Sequence, residues 1–289
     1  VLIFLLLSIL SSSLIFVIFK LYTRFGINTL QAIIFNYAIA CTVGLLLNDR
    51  SPDPQKIFNE DWFPGTIFLG GMFISVFYLA ALTTQKSGLS VVSVATKMSL
   101  AIPVLFGIFF FRESAGIIKI IGILLALSAV FLTSVKKRDK VRLERKSLIF
   151  PLLVFLGSGI IDTSLKFLET SYVAKTDVAL FSSTIFAIAG SIGICILLIQ
   201  KIKGKLKMNF RNVLGGIALG IPNFFSIYFL VLALRTEGFE SSTIFPLNHV
   251  SIVMVSTFLG ILLFREKLNL KNWVGIGLAI LSILMIANS

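Results

Sequence analysis

Ten apolar runs, most of them long enough to cross a lipid bilayer, leave this chain little choice but a helical membrane bundle. They cover roughly residues 1–19, 30–47, 64–82, 89–111, 116–135, 148–168, 178–200, 213–234, 242–264 and 271–287. Most are 17–23 residues long. At about 1.5 Å per residue that spans about 30 Å of hydrocarbon. No water is present there to satisfy a backbone N–H or C=O, so each run must be a helix and not an isolated strand. The expected fold is an all-α membrane protein with ten transmembrane helices. The longest gaps, Asn48–Phe63, Lys136–Ser147 and Lys201–Asn212, are too short for a separate soluble domain.

Composition agrees. The chain is 57% hydrophobic and 13% charged, with a mean hydropathy of +0.99. A soluble domain carries about a quarter charged residues. The net charge of +13 does not point to nucleic acid, because the basic residues sit in short gaps between apolar runs, as membrane-flanking charges do. The two cysteines, Cys41 and Cys195, both lie inside apolar runs and read as free thiols. Two cysteines and one histidine cannot build a metal site, so no metal and no cofactor are expected. The chain begins at Val1 without an initiator methionine. Val1–Phe19 lacks a basic leader and a small-residue cleavage site, and reads as a retained span.

One phrase occurs twice. Phe106–Ala126 reads FGIFFFRESAGIIKIIGILLA, and Leu259–Ala279 reads LGILLFREKLNLKNWVGIGLA. Gly107, Phe111, Arg112, Glu113, Gly122 and Ala126 match Gly260, Phe264, Arg265, Glu266, Gly275 and Ala279 at one offset of 153. Ala81-Leu82 matches Ala233-Leu234 at an offset one shorter. Ser12 and Lys20 match Ser158 and Lys166 more weakly. The halves are then 1–135 and 148–287, joined by a basic linker at 136–147. Each half holds five spans. An odd number forces the second copy to enter the membrane from the opposite face, which makes an inverted repeat.

The basic residues are divided unevenly between the two sides. Gaps after odd-numbered spans hold 18 Lys and Arg, and gaps after even-numbered spans hold 6 when Lys119, just inside the fifth run, is counted with them. The positive-inside rule places the odd gaps in the cytoplasm and both termini outside.

Ten spans, two five-helix halves and an Arg-Glu step before the last span of each half resemble the drug/metabolite transporter superfamily, EamA type. The resemblance covers essentially the whole chain. Family members usually carry Gly-Glu at that step; here Arg112-Glu113 and Arg265-Glu266 stand there, each after a phenylalanine. The resemblance implies export or uptake of small metabolites, amino acids or drugs by alternating access, through a central cavity lined mainly by the first, third, fourth and corresponding second-half helices. It also implies cytoplasmic termini, opposite to the charge count, so orientation stays open. The expected setting is the inner (cytoplasmic) membrane, in contact with lipid and a small-molecule substrate, as a monomer or weak homodimer.

Polar groups deep in a span mark functional candidates. Lys97 sits mid-run, with Pro103 six residues later to bend the helix. It suits an anionic group such as an amino acid carboxylate; the structural alternative is a lysine paired with Asp162. With one gap, His249 aligns with Lys97 and Asn248 with Thr96, in the stretch PLNHVS. His249 is the only histidine and can bind and release a coupling proton; a neutral histidine bonded between helices is the plainer reading. Asp162 and Lys166, four apart, share a helix face. Asp162, the one carboxylate clearly inside a predicted span, is a proton carrier or a counter-ion for Lys166 or Lys97. Lys166 and Lys20 lie near span ends and are expected to snorkel to the headgroups. Tyr78, Asn36, Tyr228, Gln31 and Asn223 are weaker candidates for lining a cavity. Arg112-Glu113 and Arg265-Glu266 read as caps that shape tight turns.

An enzyme is not expected. An aspartyl protease needs two membrane carboxylates, a zinc protease needs His-Glu-x-x-His, and no serine is singled out as a partner for His249. There is no phosphate-binding Gly-x-x-x-x-Gly-Lys-Ser/Thr loop. A non-transporting receptor would add a soluble sensing domain. The sequence reads as a secondary transporter, possible proton coupling included.

Overall fold

The computed structural model describes residues 2–48, 54–87, 89–114, 116–134, 149–204, 208–236, 239–265 and 268–288. The linker 136–147 and Glu266 lie outside the described residues. Described in chain order, the elements are α1 (Leu2–Phe25), α2 (Thr29–Leu46), a short α3 (Pro54–Phe58), α4 (Phe63–Ser87), α5 (Leu89–Met98), α6 (Ala101–Phe110) and α7 (Ile117–Ser134). Then come α8 (Ile149–Tyr172), a single 3₁₀ turn at Lys175–Asp177, α9 (Val178–Ile202), α10 (Phe210–Arg235), α11 (Ser241–Phe264) and α12 (Leu270–Ala287). Among the described residues, eight helices are long and apolar enough to span a bilayer; the fourth and fifth spans contain the shorter apolar stretches Ala95–Phe110 and Ile117–Leu132. Helix starts are marked by asparagine. Asn28, Asn209 and Asn269 each accept a backbone N–H from the first turn of α2, α10 and α12, satisfying donors that lipid cannot.

The fourth span is not one helix. Pro103 has no N–H to give the Ser99 carbonyl, and the chain breaks at Ser99–Leu100, one turn before it. The Ser99 carbonyl is taken instead by the Ile102 N–H at 2.9 Å. The equivalent ninth span, α11, is continuous, because its Pro246 falls near the start. The sixth span also differs from expectation: α8 continues past residue 168 to Tyr172, which places Glu169 inside it.

The two halves run in opposite directions. In the fifth and tenth spans, Asn272 donates to the Leu132 carbonyl at 3.0 Å and the Ser282 hydroxyl to the Gly122 carbonyl at 2.8 Å. Residue numbers fall on α7 as they rise on α12, so equivalent helices are antiparallel. The second and seventh spans agree: Gly44 of α2 lies against Ser183 of α9, and Gly193 of α9 against Ile34 of α2. Packing also survives exchange of the halves. α1 packs on α10 as α8 packs on α4, α2 on α10 as α9 on α4, and α1 on α11 as α8 on α5 and α6. Gly216 and Gly220 on α10 permit the α2 contact. A Cβ at Gly216 would stand 2.3 Å from Phe35 Cβ, and one at Gly220 2.6 Å from Ile39 Cβ, so only hydrogen fits there.

The repeated phrase is explained by its turn. Arg112 has φ of +54° and Arg265 φ of +52°, the same left-handed residue at both ends of the symmetry. The Glu113 N–H then returns to the Gly107 carbonyl at 3.2 Å, and the Arg265 N–H to that of Ile261 at 3.0 Å. Glycine is the usual occupant of such a position. Arginine tolerates it and a β-branched residue does not. Thermal unfolding in detergent should therefore separate two variants. Arg265→Val should be less stable than Arg265→Gly by about 1–2 kcal/mol. Equal stability would contradict the left-handed assignment.

Candidate functional site

The break in the fourth span prepares the site. A continuous helix would use the Lys97 carbonyl for its own ladder. Here that carbonyl keeps only a long contact from the Leu100 N–H, at 3.4 Å. His249 Nδ1 of α11 lies 3.3 Å from it. On the other side of the ring, His249 Nε2 lies 3.4 Å from Asp162 Oδ2 of α8. The Lys97 ammonium sits 5.1 Å above the Phe16 ring of α1, within the attraction of the Asp162 carboxylate. Lys97 and His249 are buried and Asp162 is mostly so. Four helices from both halves thus converge on one cationic and acidic cluster. The sequence alignment of Lys97 with His249 is reproduced in space as a direct contact.

Within the bundle, uncharged polar groups are also buried with bonds to spare. Asn248 Oδ1, Asn223 Nδ2, Asn36 Oδ1 and the Tyr37 hydroxyl are buried and have no hydrogen-bond partner among the described residues. Buried orphan polar atoms are rare in finished structural networks and call for an explanation such as a ligand or water. Tyr37 was not singled out in the sequence. Only its place one residue after Asn36 could have raised it.

Other candidates fall elsewhere. Tyr78 points outward from α4, 48% exposed, and does not join the cluster. Its face of α4 is the one carrying Ile67, Phe68 and Ser75, turned away from the bundle. Tyr228 is half-buried and stacked on Phe224, with ring centroids 5.5 Å apart. Gln31 belongs to a structural network near the start of α2, where it accepts from Asn212 Nδ2 at 2.6 Å. Lys166 turns from Asp162 to Glu169, at 3.7 Å, and Glu169 meets Arg235 Nε at 2.7 Å. Glu169 is therefore a second carboxylate within a span, against the expectation that Asp162 stood alone. It was missed because the predicted span stopped at 168. Lys20 and Lys166 do not simply snorkel. Lys20 Nζ lies 4.0 Å over the Phe264 ring, and Lys166 Nζ 5.8 Å over the Phe111 ring. A groove of about 450 Å³ beside Met98 is lined by Leu124, Leu127, Ser128, Phe131 and Leu132. Its one hydroxyl is already spent on the Leu124 carbonyl, so it does not suit a polar solute.

At the end where α6 stops and α11 starts, the Phe-Arg-Glu step ties the halves together. Glu113 accepts from the Ser241 and Ser242 N–H groups and the Ser241 hydroxyl, so it caps α11 from the other half. Reciprocally, Glu240 accepts from the Ser114 N–H and hydroxyl and pairs with Lys119. Partial burial opposes ionisation of Glu240, but the Lys119 and Ser114 hydrogen bonds outweigh it and hold the carboxyl at about 2.

This architecture, a bundle of inverted five-helix halves closing on a buried polar centre, is that of a membrane carrier. A sequence model of the EamA-like transporter family matches residues 1–135 and 145–288, and the chain belongs to that family. An uncharacterized protein of Haemophilus influenzae is 29% identical over 276 residues, covering 93% of this chain and 92% of its own. A probable glucose uptake protein, GlcU, of Staphylococcus aureus is 24% identical over 238 residues, covering 77% of this chain and 79% of its own. A solved crystal structure superposes with a TM-score of 0.79 at 11% identity, covering 98% of this chain and 94% of the other, and supports the fold. The protein is a multi-pass membrane transporter.

The Glu240 pairing has a pH signature. A carboxyl held at about 2 when folded, against about 4.3 when unfolded, stabilises the fold fully above the higher value and loses that support as pH falls towards the lower. Unfolding of detergent-solubilised protein across this acid range should show the loss, and Glu240→Gln should remove that part of the pH dependence. An unchanged profile in Glu240→Gln would contradict the pairing.

Proposed function

We propose that this chain is a secondary transporter of the inner membrane that carries a small polar metabolite bearing a carboxylate. The observation that carries the reading is the meeting of Lys97, His249 and Asp162, from both halves, deep within the bundle. A charge buried among spans is costly and is kept where a pathway needs it. Inverted halves place their shared site where they cross, and rocking one half against the other exposes it to either side. Lys97 supplies the cation for the carboxylate. Asn248, Asn36, Tyr37 and Asn223 supply neutral donors and acceptors, with Tyr228 at the margin.

The same cluster suits proton coupling. Both neighbours of the His249 ring, the Lys97 carbonyl and the Asp162 carboxylate, are acceptors. A neutral imidazole has one N–H and cannot satisfy both. One further proton on the His249–Asp162 pair would let the ring donate to both. Protonated, the cluster of Lys97, His249 and Asp162 carries one net positive charge; with the proton released to water it carries none. A bound carboxylate therefore favours the proton, and the proton favours the carboxylate, which is the linkage that symport requires.

A second reading is a neutral polyol. The orphan amides favour it, and so does the relative named for glucose uptake. A thermal-shift screen of purified protein against small carboxylates and hexoses separates the two, because a bound ligand stabilises the folded form. Carboxylates should raise the unfolding temperature, and Lys97→Met should weaken that binding about 10- to 100-fold, the scale of one charge-assisted hydrogen bond. Full binding in Lys97→Met would remove Lys97 from the site. A response to hexoses alone would favour the second reading. Proteoliposome flux of the stabilising compound, and its pH dependence in His249→Gln, test transport and coupling in turn.

A further inference from the structure

Two lysine–phenylalanine contacts remain outside the site just described. They are related by the same symmetry as the halves. Lys20 and Lys166 occupy matching places on the first and sixth spans, and Phe264 and Phe111 matching places in the repeated phrase. Each contact crosses between halves. Lys20 of α1 lies over Phe264 at the end of α11, and Lys166 of α8 over Phe111, just past α6. Each lies near the end of its helix, on opposite sides of the buried cluster. The two distances differ: 4.0 Å at the Phe264 end and 5.8 Å at the Phe111 end. A cation is held over a ring within about 6 Å and more tightly as it closes. Lys166 also has Glu169 3.7 Å away, itself engaged by Arg235.

We infer that Lys20–Phe264 and Lys166–Phe111 are the two gates of the transport path, and that substrate passage exchanges the tight contact for the loose one. The inference rests on the carrier reading above and names residues which that reading does not use. The physical reason is that the contacts are between halves and symmetric. Rocking that shortens one must lengthen the other, because α1 and α11 at one end mirror α8 and α6 at the other. The shorter cation–ring contact in this structure is the one at Phe264. A cation over a ring is suited to a gate. It holds a charged side chain across an apolar rim, yet it is worth only about 0.5–2 kcal/mol, weak enough to be broken by differential binding of a solute. It also gives the phenylalanine of the repeated phrase a task that packing alone does not require.

The test reads access to the buried cluster from each side separately. Cys41 and Cys195 are changed to serine, and one cysteine is introduced by Asn248→Cys. A membrane-impermeant maleimide is then applied to sealed vesicles of each orientation. Lys20→Met should raise labelling from the Phe264 end several-fold and lower it from the Phe111 end. Lys166→Met should do the reverse, and Lys→Arg at either place should restore the starting ratio. Should the methionine variants fold poorly, Phe264→Leu and Phe111→Leu remove the rings and carry the same pair of opposite signs. Equal changes at both ends, or none, would overturn the inference while leaving the carrier reading intact. A cysteine that no variant exposes from either side would sink the carrier reading itself.

Discussion

Hydrocarbon supplies no hydrogen bonds, so every charge and every unpaired backbone group placed within this bundle must be answered by the protein or by what it carries. The structure follows from where that demand is met and where it is left open. At helix starts it is met by asparagine side chains. At the end of the first half it is met across the symmetry, with Glu113 serving the first turn of α11. Near the centre it is met only in part. Pro103 interrupts the fourth span, the Lys97 carbonyl loses its place in a regular ladder, and His249 from the opposite half comes to it.

The three residues of the repeated phrase divide the work of joining two inverted halves. Phe111 and Phe264 face lysines of the opposite half. Arg112 and Arg265 reverse the chain in a left-handed conformation. Glu113 caps a helix of the other half. Because the halves are antiparallel, the same short phrase can serve both ends of the molecule. The Lys119–Glu240 pair adds to this at one end, where Glu240 has only Gly88 at the matching place in the first half, and Lys119 has Asn272.

Most of the plan was legible in the sequence because the bilayer imposes it. Span number, the repeat and its inversion follow from apolar length and odd-number arithmetic. The matching places of Lys97 and His249 followed from aligning the halves, and the bend at Pro103 from proline chemistry. What could not be read is what depends on facing and on helix ends. Tyr78 looked like a cavity residue by type, but its turn of α4 carries it outward. Glu169 was lost by placing a helix end four residues early, and with it the partner that draws Lys166 from Asp162. Lys20 and Lys166 were assigned to headgroups because a ring contact between distant spans leaves no local trace. Asn36 and Asn223 were legible as polar residues in spans, but not as groups with unused bonding atoms.

The central claim is that the two halves meet through a buried Lys97–His249–Asp162 contact. The chain has one histidine, so nitrogen NMR of histidine-labelled protein reads that contact without assignment. The ring nitrogen signals should shift in Asp162→Asn and be kept in Asp162→Glu, because Asp162 Oδ2 lies 3.4 Å from Nε2. Ring signals indifferent to the residue at position 162 would contradict the account.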